Sequence, residues 1–190
     1  MNKHLMAAAL AAALIAPAAH ATSVALAGDG NWNEFSVDAL VAQDFGNGWI
    51  DESDGSALDF TFTIAPGMHG LLTVVDAGVA GDTFSITNFG NVLGATSGVP
   101  AGDPLGSTEF DFDEALANPA YSHGQFTLGA GSYSISGELL QSVFGDVGST
   151  NGALRLSVSA VPEPADAALL FAGLGIVGLM ARRRKSANAI

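Results

Sequence analysis

Between residues 22 and 161, apolar and polar side chains alternate with a period of two, the mark of half-buried strands. Leu58, Phe60, Phe62 and Ile64 alternate with Asp59, Thr61 and Thr63, and Ala65-Pro66-Gly67 ends the run. Leu72-Thr73-Val74-Val75 follows and is expected to close a hairpin with it. Phe84-Ser85-Ile86 reads as a further strand after Gly81-Asp82, and Asn91-Val92-Leu93-Gly94 as a turn and return. Gln125-Phe126-Thr127-Leu128, Gly129-Ala130-Gly131 and Tyr133-Ser134-Ile135-Ser136-Gly137 read as a second hairpin with a glycine-rich loop. Leu154-Arg155-Leu156-Ser157-Val158-Ser159 alternates again, and Phe35-Ser36-Val37 is the expected opening strand. Short strands at short spacing with glycine-rich turns predict an all-β fold, a β-sandwich of jelly-roll-like form. One helix is expected at Asp113-Glu114-Ala115-Leu116-Ala117, with acids at its start and Asn118-Pro119 as its stop.

The two ends break this pattern. Met1-Asn2-Lys3-His4 carries positive charge, Leu5 to Ala19 is apolar but for Pro17, and Ala19-His20-Ala21 places small residues at both key positions of a cleavage site. This is the three-part layout of a secretory signal peptide, residues 1–21. Signal peptidase is expected to cut after Ala21, leaving Thr22 first. At the other end Pro162-Glu163-Pro164 precedes 17 residues, Ala165 to Ala181, whose one charge is Asp166. As a helix these reach about 25 Å, the low end for a single transmembrane helix. Arg182, Arg183, Arg184 and Lys185 follow as a basic stop cluster that stays cytoplasmic, so residues 22–161 face outward. A short polar tail, residues 186–190, completes the chain. Gly173-Leu174-Gly175-Ile176-Val177-Gly178 spells a dinucleotide fingerprint, but no strand precedes it and the required amphipathic helix and downstream acid are missing. Its glycines suit close helix packing instead.

Charge sharpens the division. The whole chain of 190 residues carries a formal −13, but residues 22–161 hold a single basic residue, Arg155, against 17 acids, a net of −16. Such a surface repels a phosphate backbone, which excludes nucleic acid as a partner. It suits an exported, solvated domain and also attracts divalent cations. Cysteine is absent, which excludes disulfides, thiolate metal sites and a cysteine nucleophile.

Val161-Pro162-Glu163-Pro164, the short apolar helix and the arginine cluster resemble the PEP-CTERM sorting signal of Gram-negative bacteria, over residues 161–185. The resemblance implies processing by an exosortase, a membrane-embedded transpeptidase-like enzyme, and an association with exopolysaccharide and biofilm matrix. By that resemblance Pro162, Glu163 and Pro164 are the recognition element, and the helix with Arg182 to Arg184 holds the tail in the membrane. The plain alternative is a single-span anchor. Physically, proline on both sides of Glu163 keeps the backbone extended and removes two donors. Leu58 to Phe89, with Phe126 to Tyr133, is also similar to a domain common among PEP-CTERM proteins, which carries no settled activity.

Candidate chemistry is thin. Asp51, Glu52 and Asp54 precede Gly55, but an EF-hand register puts Ile50 at the first ligand position, so that motif fails. Asp76 and Asp82 flank Gly78 to Gly81 and read either as solvated loop acids or as a calcium loop at a sandwich edge. Glu109-Phe110-Asp111-Phe112-Asp113-Glu114, taken as a strand, places its acids on one face. His69 and His123 read as exposed loop histidines outside any catalytic motif. Among 17 acids, finding a pair suited to glycoside hydrolysis is uninformative. Trp32, Trp49, Tyr121 and Tyr133 are candidates for a sugar-stacking face, with core packing the competing reading, above all for Trp49. The expectation is an exported, membrane-anchored precursor released to the surface or beyond. It has no catalytic residues and no required cofactor, and its role is structural or adhesive. The alternatives are a calcium-dependent carbohydrate-binding module and, third, a secreted glycan-active enzyme.

Overall fold

A computed structural model describes residues 21–42, 46–145 and 149–162, with Leu169, Ala172, Leu174 and Ile176 of the C-terminal segment. The strands are β1 (Thr22–Ala25), β2 (Asn33–Asp38), β3 (Leu58–Ile64), β4 (Met68–Val79), β5 (Thr83–Asn88), β6 (Asn91–Ala95), β7 (Thr108–Glu109), β8 (His123–Leu128), β9 (Gly131–Gln141) and β10 (Ser149–Ala160). One helix, α1 (Phe112–Ala117), lies between β7 and β8.

Four antiparallel pairs nest inside one another: β2 with β10, β3 with β9, β4 with β8, and β5 with β6. The folded-over hairpin they form then closes on itself through β10 with β4 and β9 with β5. One sheet runs β1-β3-β9-β5-β6. The other runs β2-β10-β4, with β8 and β7 sharing the far edge of β4. Eight strands in this order are a jelly roll, the expected form of sandwich. Strand β1 is added beside β3 in parallel.

Two expected hairpins are not present. β3 and β4 lie in opposite sheets, and so do β8 and β9. In nested pairing, a chain leaving one sheet crosses to the other at almost every connection. Ala65-Pro66-Gly67 and Gly129-Ala130 are therefore corners between sheets. Gly67 takes the left-handed conformation (φ 79°) that such a tight corner needs. The hairpin that does form is β5–β6, whose two-residue loop is Phe89-Gly90. Phe35-Ser36-Val37 falls within β2, but β1 comes first.

The inward rows of both sheets meet in one core that includes Phe35, Trp49, Phe60, Phe84, Leu72, Val74, Leu154 and Leu156. Phe35 of β2 stacks on Trp49 at 3.8 Å between centroids, with Phe84 of the opposite sheet edge-on at 5.2 Å. Two glycines in central strands make room for the stack. A Cβ at Gly152 would stand 2.4 Å from Phe35 Cζ, and one at Gly137 would stand 2.6 Å from Trp49 Cε2. On the outer face, α1 covers Val75 and Ala153. Its N-cap Asp111 accepts hydrogen bonds from the amides of Asp113 and Glu114, and Asn118 ends it, as expected.

Phe89 has φ 46° and Gly90 φ 74°, so the β5–β6 turn has both central residues in the left-handed region. That geometry favours Asn-Gly and strains a bulky side chain, and Phe89 is 63% exposed and gains little packing in return. Phe89→Asn is expected to stabilise the protein by about 1 kcal/mol, read as a higher midpoint in urea with an unchanged slope.

Candidate functional site

The domain ends where the candidate sorting motif begins. The Val161 amide donates to Gly67 O at 2.9 Å, continuing the β4–β10 pairing past Ala160 opposite Met68. Pro162 has no amide hydrogen, so pairing stops there. Both Val161 and Pro162 are exposed. The motif therefore starts directly at the end of a central strand, with no spacer. Glu163, Pro164 and the basic cluster Arg182, Arg183, Arg184 and Lys185 lie outside the described residues, as does Ala19 of the signal segment. Ala21 is exposed and Thr22 opens β1. Leu169, Ala172, Leu174 and Ile176 are helical, in keeping with the expected apolar helix. No helix among the described residues is long and apolar enough to cross a membrane.

The opposite end of the core is polar. Along β4 the inward row runs Leu72, Val74, Asp76. Its neighbours change character at the same level. On β10 the row runs Leu156, Leu154, Gly152, Thr150, and on β8 it runs Leu128, Phe126, Gly124 before reaching Ser122. Asp76, Asp82, Thr96, Ser122 and Thr150 are all buried there, Asp76 and Asp82 completely. The expectation of solvated loop acids is thus corrected: Asp76 belongs to a strand, and its side chain continues an apolar row.

Backbone closes over this pair. Asp76 Oδ2 accepts the amides of Gly81 and Asp82, each at 3.2 Å, and Asp82 Oδ1 accepts the amide of Val143 at 2.7 Å. Gln141 Nε2 ties Gly81 O at 2.6 Å, and Tyr121 donates its hydroxyl to Gly78 O at 2.9 Å. Asp76 Oδ1 and Asp82 Oδ2 have no hydrogen-bond partner. Burial, reinforced by the charge of Asp82, pushes the Asp76 carboxyl up to about 8. Burial also raises Asp82, against the Thr150 hydroxyl, the Val143 amide and the Ser142 hydroxyl, which favour its charged form. A shallow surface cleft is lined by Phe110, Phe144 and Thr150, and neither acid lines it.

The other candidates are scattered. Trp49 is core. Trp32 is capped by Arg155, 4.2 Å from its centroid, and by Phe112. Arg155 also bonds Asp113 at 2.7 Å. Tyr121 is buried, and Tyr133 stacks on Phe62 and bonds Gly129 O. These four rings form no common face. Glu109 to Glu114 is not a strand: β7 ends at Glu109 and Asp111 is a helix cap, although Glu109 and Asp111 still lie near enough to Glu114 to raise its carboxyl. Asp51 and Asp54 accept from Ser53 and Ser56 in the turn before β3, as local turn residues do. His69 lies on β4 rather than in a turn. Its Nε2 is 3.1 Å from the hydroxyl of its cross-strand neighbour Ser159. His123 opens β8 and contacts Tyr121 O. Among the described residues neither histidine meets a carboxylate, the third group that orients a base beside a nucleophile.

Residues 160–185 match the PEP-CTERM protein-sorting motif. No curated protein sequence matches the chain. Among solved structures, it is similar to the pre-peptidase C-terminal domain of a collagenase from Bacillus anthracis, at 14% identity and TM-score 0.39, over 75% of this chain and 99% of that one. It is also similar to PliG from Aeromonas hydrophila, a periplasmic inhibitor of g-type lysozyme, at 12% identity and TM-score 0.39, over 75% and 100%. A third is the C-terminal CBM6 of LamC, a marine laminarinase from Zobellia galactanivorans, at 14% identity and TM-score 0.29, over 66% and 99%.

The folded protein holds a proton on Asp76 up to about pH 8, whereas the unfolded chain releases it near 3.8. The folded state therefore binds more protons between these values, and this contribution to stability is complete below the lower value and lost as pH rises to the upper one. In chelator, the thermal midpoint is expected to fall between pH 4 and 8, and Asp76→Asn is expected to flatten that slope.

Proposed function

We propose that this chain, which carries the PEP-CTERM sorting motif at residues 160–185, is an exported precursor that an exosortase cuts near Pro162-Glu163-Pro164 to deliver a jelly-roll domain to the cell surface or its matrix. In this reading residues 1–21 direct export and leave after Ala21. Residues 165–181, with Arg182, Arg183, Arg184 and Lys185, hold the precursor in the membrane until it is cut. The domain itself works without catalysis, as a structural or adhesive component alongside exopolysaccharide.

The observation that carries the reading is the placement of the motif. β10 ends at Ala160, paired with β4 to its last residue, the Val161 amide adds one more bond to Gly67 O, and Pro162 begins the motif at once. A folded domain thus gives way to the proline-rich motif directly at its own boundary, where a membrane enzyme meets it beside the bilayer. The strongly acidic domain, net −16 over residues 22–161, suits an aqueous, outward-facing location.

Replacing Pro162, Glu163 and Pro164 together by alanine, in cells that contain the exosortase, is expected to leave full-length precursor in the membrane fraction. The wild-type chain should yield a form shortened near residue 162, seen by intact mass. Equal processing of both chains would overturn the proposal.

A further inference from the structure

We infer that Asp76 and Asp82 form a calcium site, built into the polar end of the jelly-roll core and separate from the sorting motif at the other end of β10.

Two buried acids lie side by side, the Asp82 amide donating to Asp76 Oδ2, and each keeps an oxygen with no hydrogen-bond partner, Asp76 Oδ1 and Asp82 Oδ2. Buried carboxylate oxygens are costly without a compensating group. The domain has one basic side chain between residues 22 and 161, Arg155, and it is engaged by Asp113 and Trp32. No protein cation is therefore at hand to balance the pair. The partners that are present are oxygen-rich. The hydroxyls of Ser142 and Thr150 favour the ionised Asp82, and Thr96 and Ser122 stand in the same buried layer, bonded to each other at 2.9 Å. Hard oxygen donors with two negative charges suit calcium, which accepts irregular sets of carboxylate, hydroxyl and carbonyl oxygens with some water. Magnesium demands stricter geometry and keeps its own water, which a site closed by backbone does not favour.

The surrounding chain is arranged to hold the two acids and not to expose them. Gly81 has φ 123°, and a Cβ there would stand 2.3 Å from the Gly102 amide nitrogen. The 78–82 segment is thus pressed against the 101–102 backbone, and Gln141 fastens Gly81 and Val99 together.

The test uses the full chain purified in detergent, treated with EGTA and returned to calcium or magnesium chloride. Calcium is expected to bind at one site, with a Kd on the order of 0.1–1 mM, and to raise the thermal midpoint by several degrees, while equal magnesium leaves it unmoved. Asp76→Asn and Asp82→Asn should each abolish the shift, and the exposed-helix control Glu114→Gln should retain it. Should an Asn variant fail to fold, hydrogen exchange of the wild-type chain decides, since calcium must slow exchange at 78–83 and 141–143. No calcium effect, an equal response to magnesium, a shift that survives both Asn variants, or unchanged exchange in those segments would each overturn the site. Any of these would leave the acids as a carboxyl pair sharing a proton.

Discussion

The antiparallel ladder between β4 and β10 is the interaction on which the rest of the molecule depends. It runs from Asn151 opposite Ala77 to Ala160 opposite Met68, and each strand is paired again on its far side. Because the two strands are locked in register, their inward rows change together from leucine and valine to aspartate and threonine. The same register sets Arg155 beneath Trp32 and α1, and it fixes where pairing must stop at Pro162. A slip of one residue would turn Asp76 outward and Val75 inward, and would lose the core and the buried acids at once.

Alternation of side chains made the strands legible, and β3, β5 and β10 lie where the pattern put them. Partnership between strands was not legible, because period-two patterning says which face is buried and is silent on which strand lies alongside. Short glycine loops after β3 and β8 look the same whether the chain doubles back in one sheet or crosses to the other. In a jelly roll nearly all of them cross. β1 escaped notice because four residues directly after the apolar run of the first 21 residues carry too little pattern. The helix was legible because its caps are local chemistry, Asp111 at one end and Asn118-Pro119 at the other.

The acids show how far local reading reaches. Asp76 stands between two glycine-containing stretches and looked like part of a loop. The signal that identifies it was present: Leu72, Val74 and Asp76 share one parity, and Val75-Asp76-Ala77 sits in an apolar run. Asp82 had no such signal, since its burial depends on Val143 and Thr150, more than sixty residues away. Trp32, between two asparagines, is half-buried, with Arg155 and Phe112 arriving from distant segments to cover one side of its ring. The glycines opposite Phe35 and Trp49 carry no pattern of their own, and their role appears only once the rings are placed against them.

The bonding of β10 changes along its length. Asn151 to Leu154 is paired with both β2 and β4. Arg155 to Ala160 is paired with β4, and on its other edge Leu156 and Val158 bond the 28–30 segment. A pull on Val161 along the strand axis would therefore load the β4 ladder lengthwise. Its bonds lie across the strands, so they would have to give nearly together rather than peel one at a time.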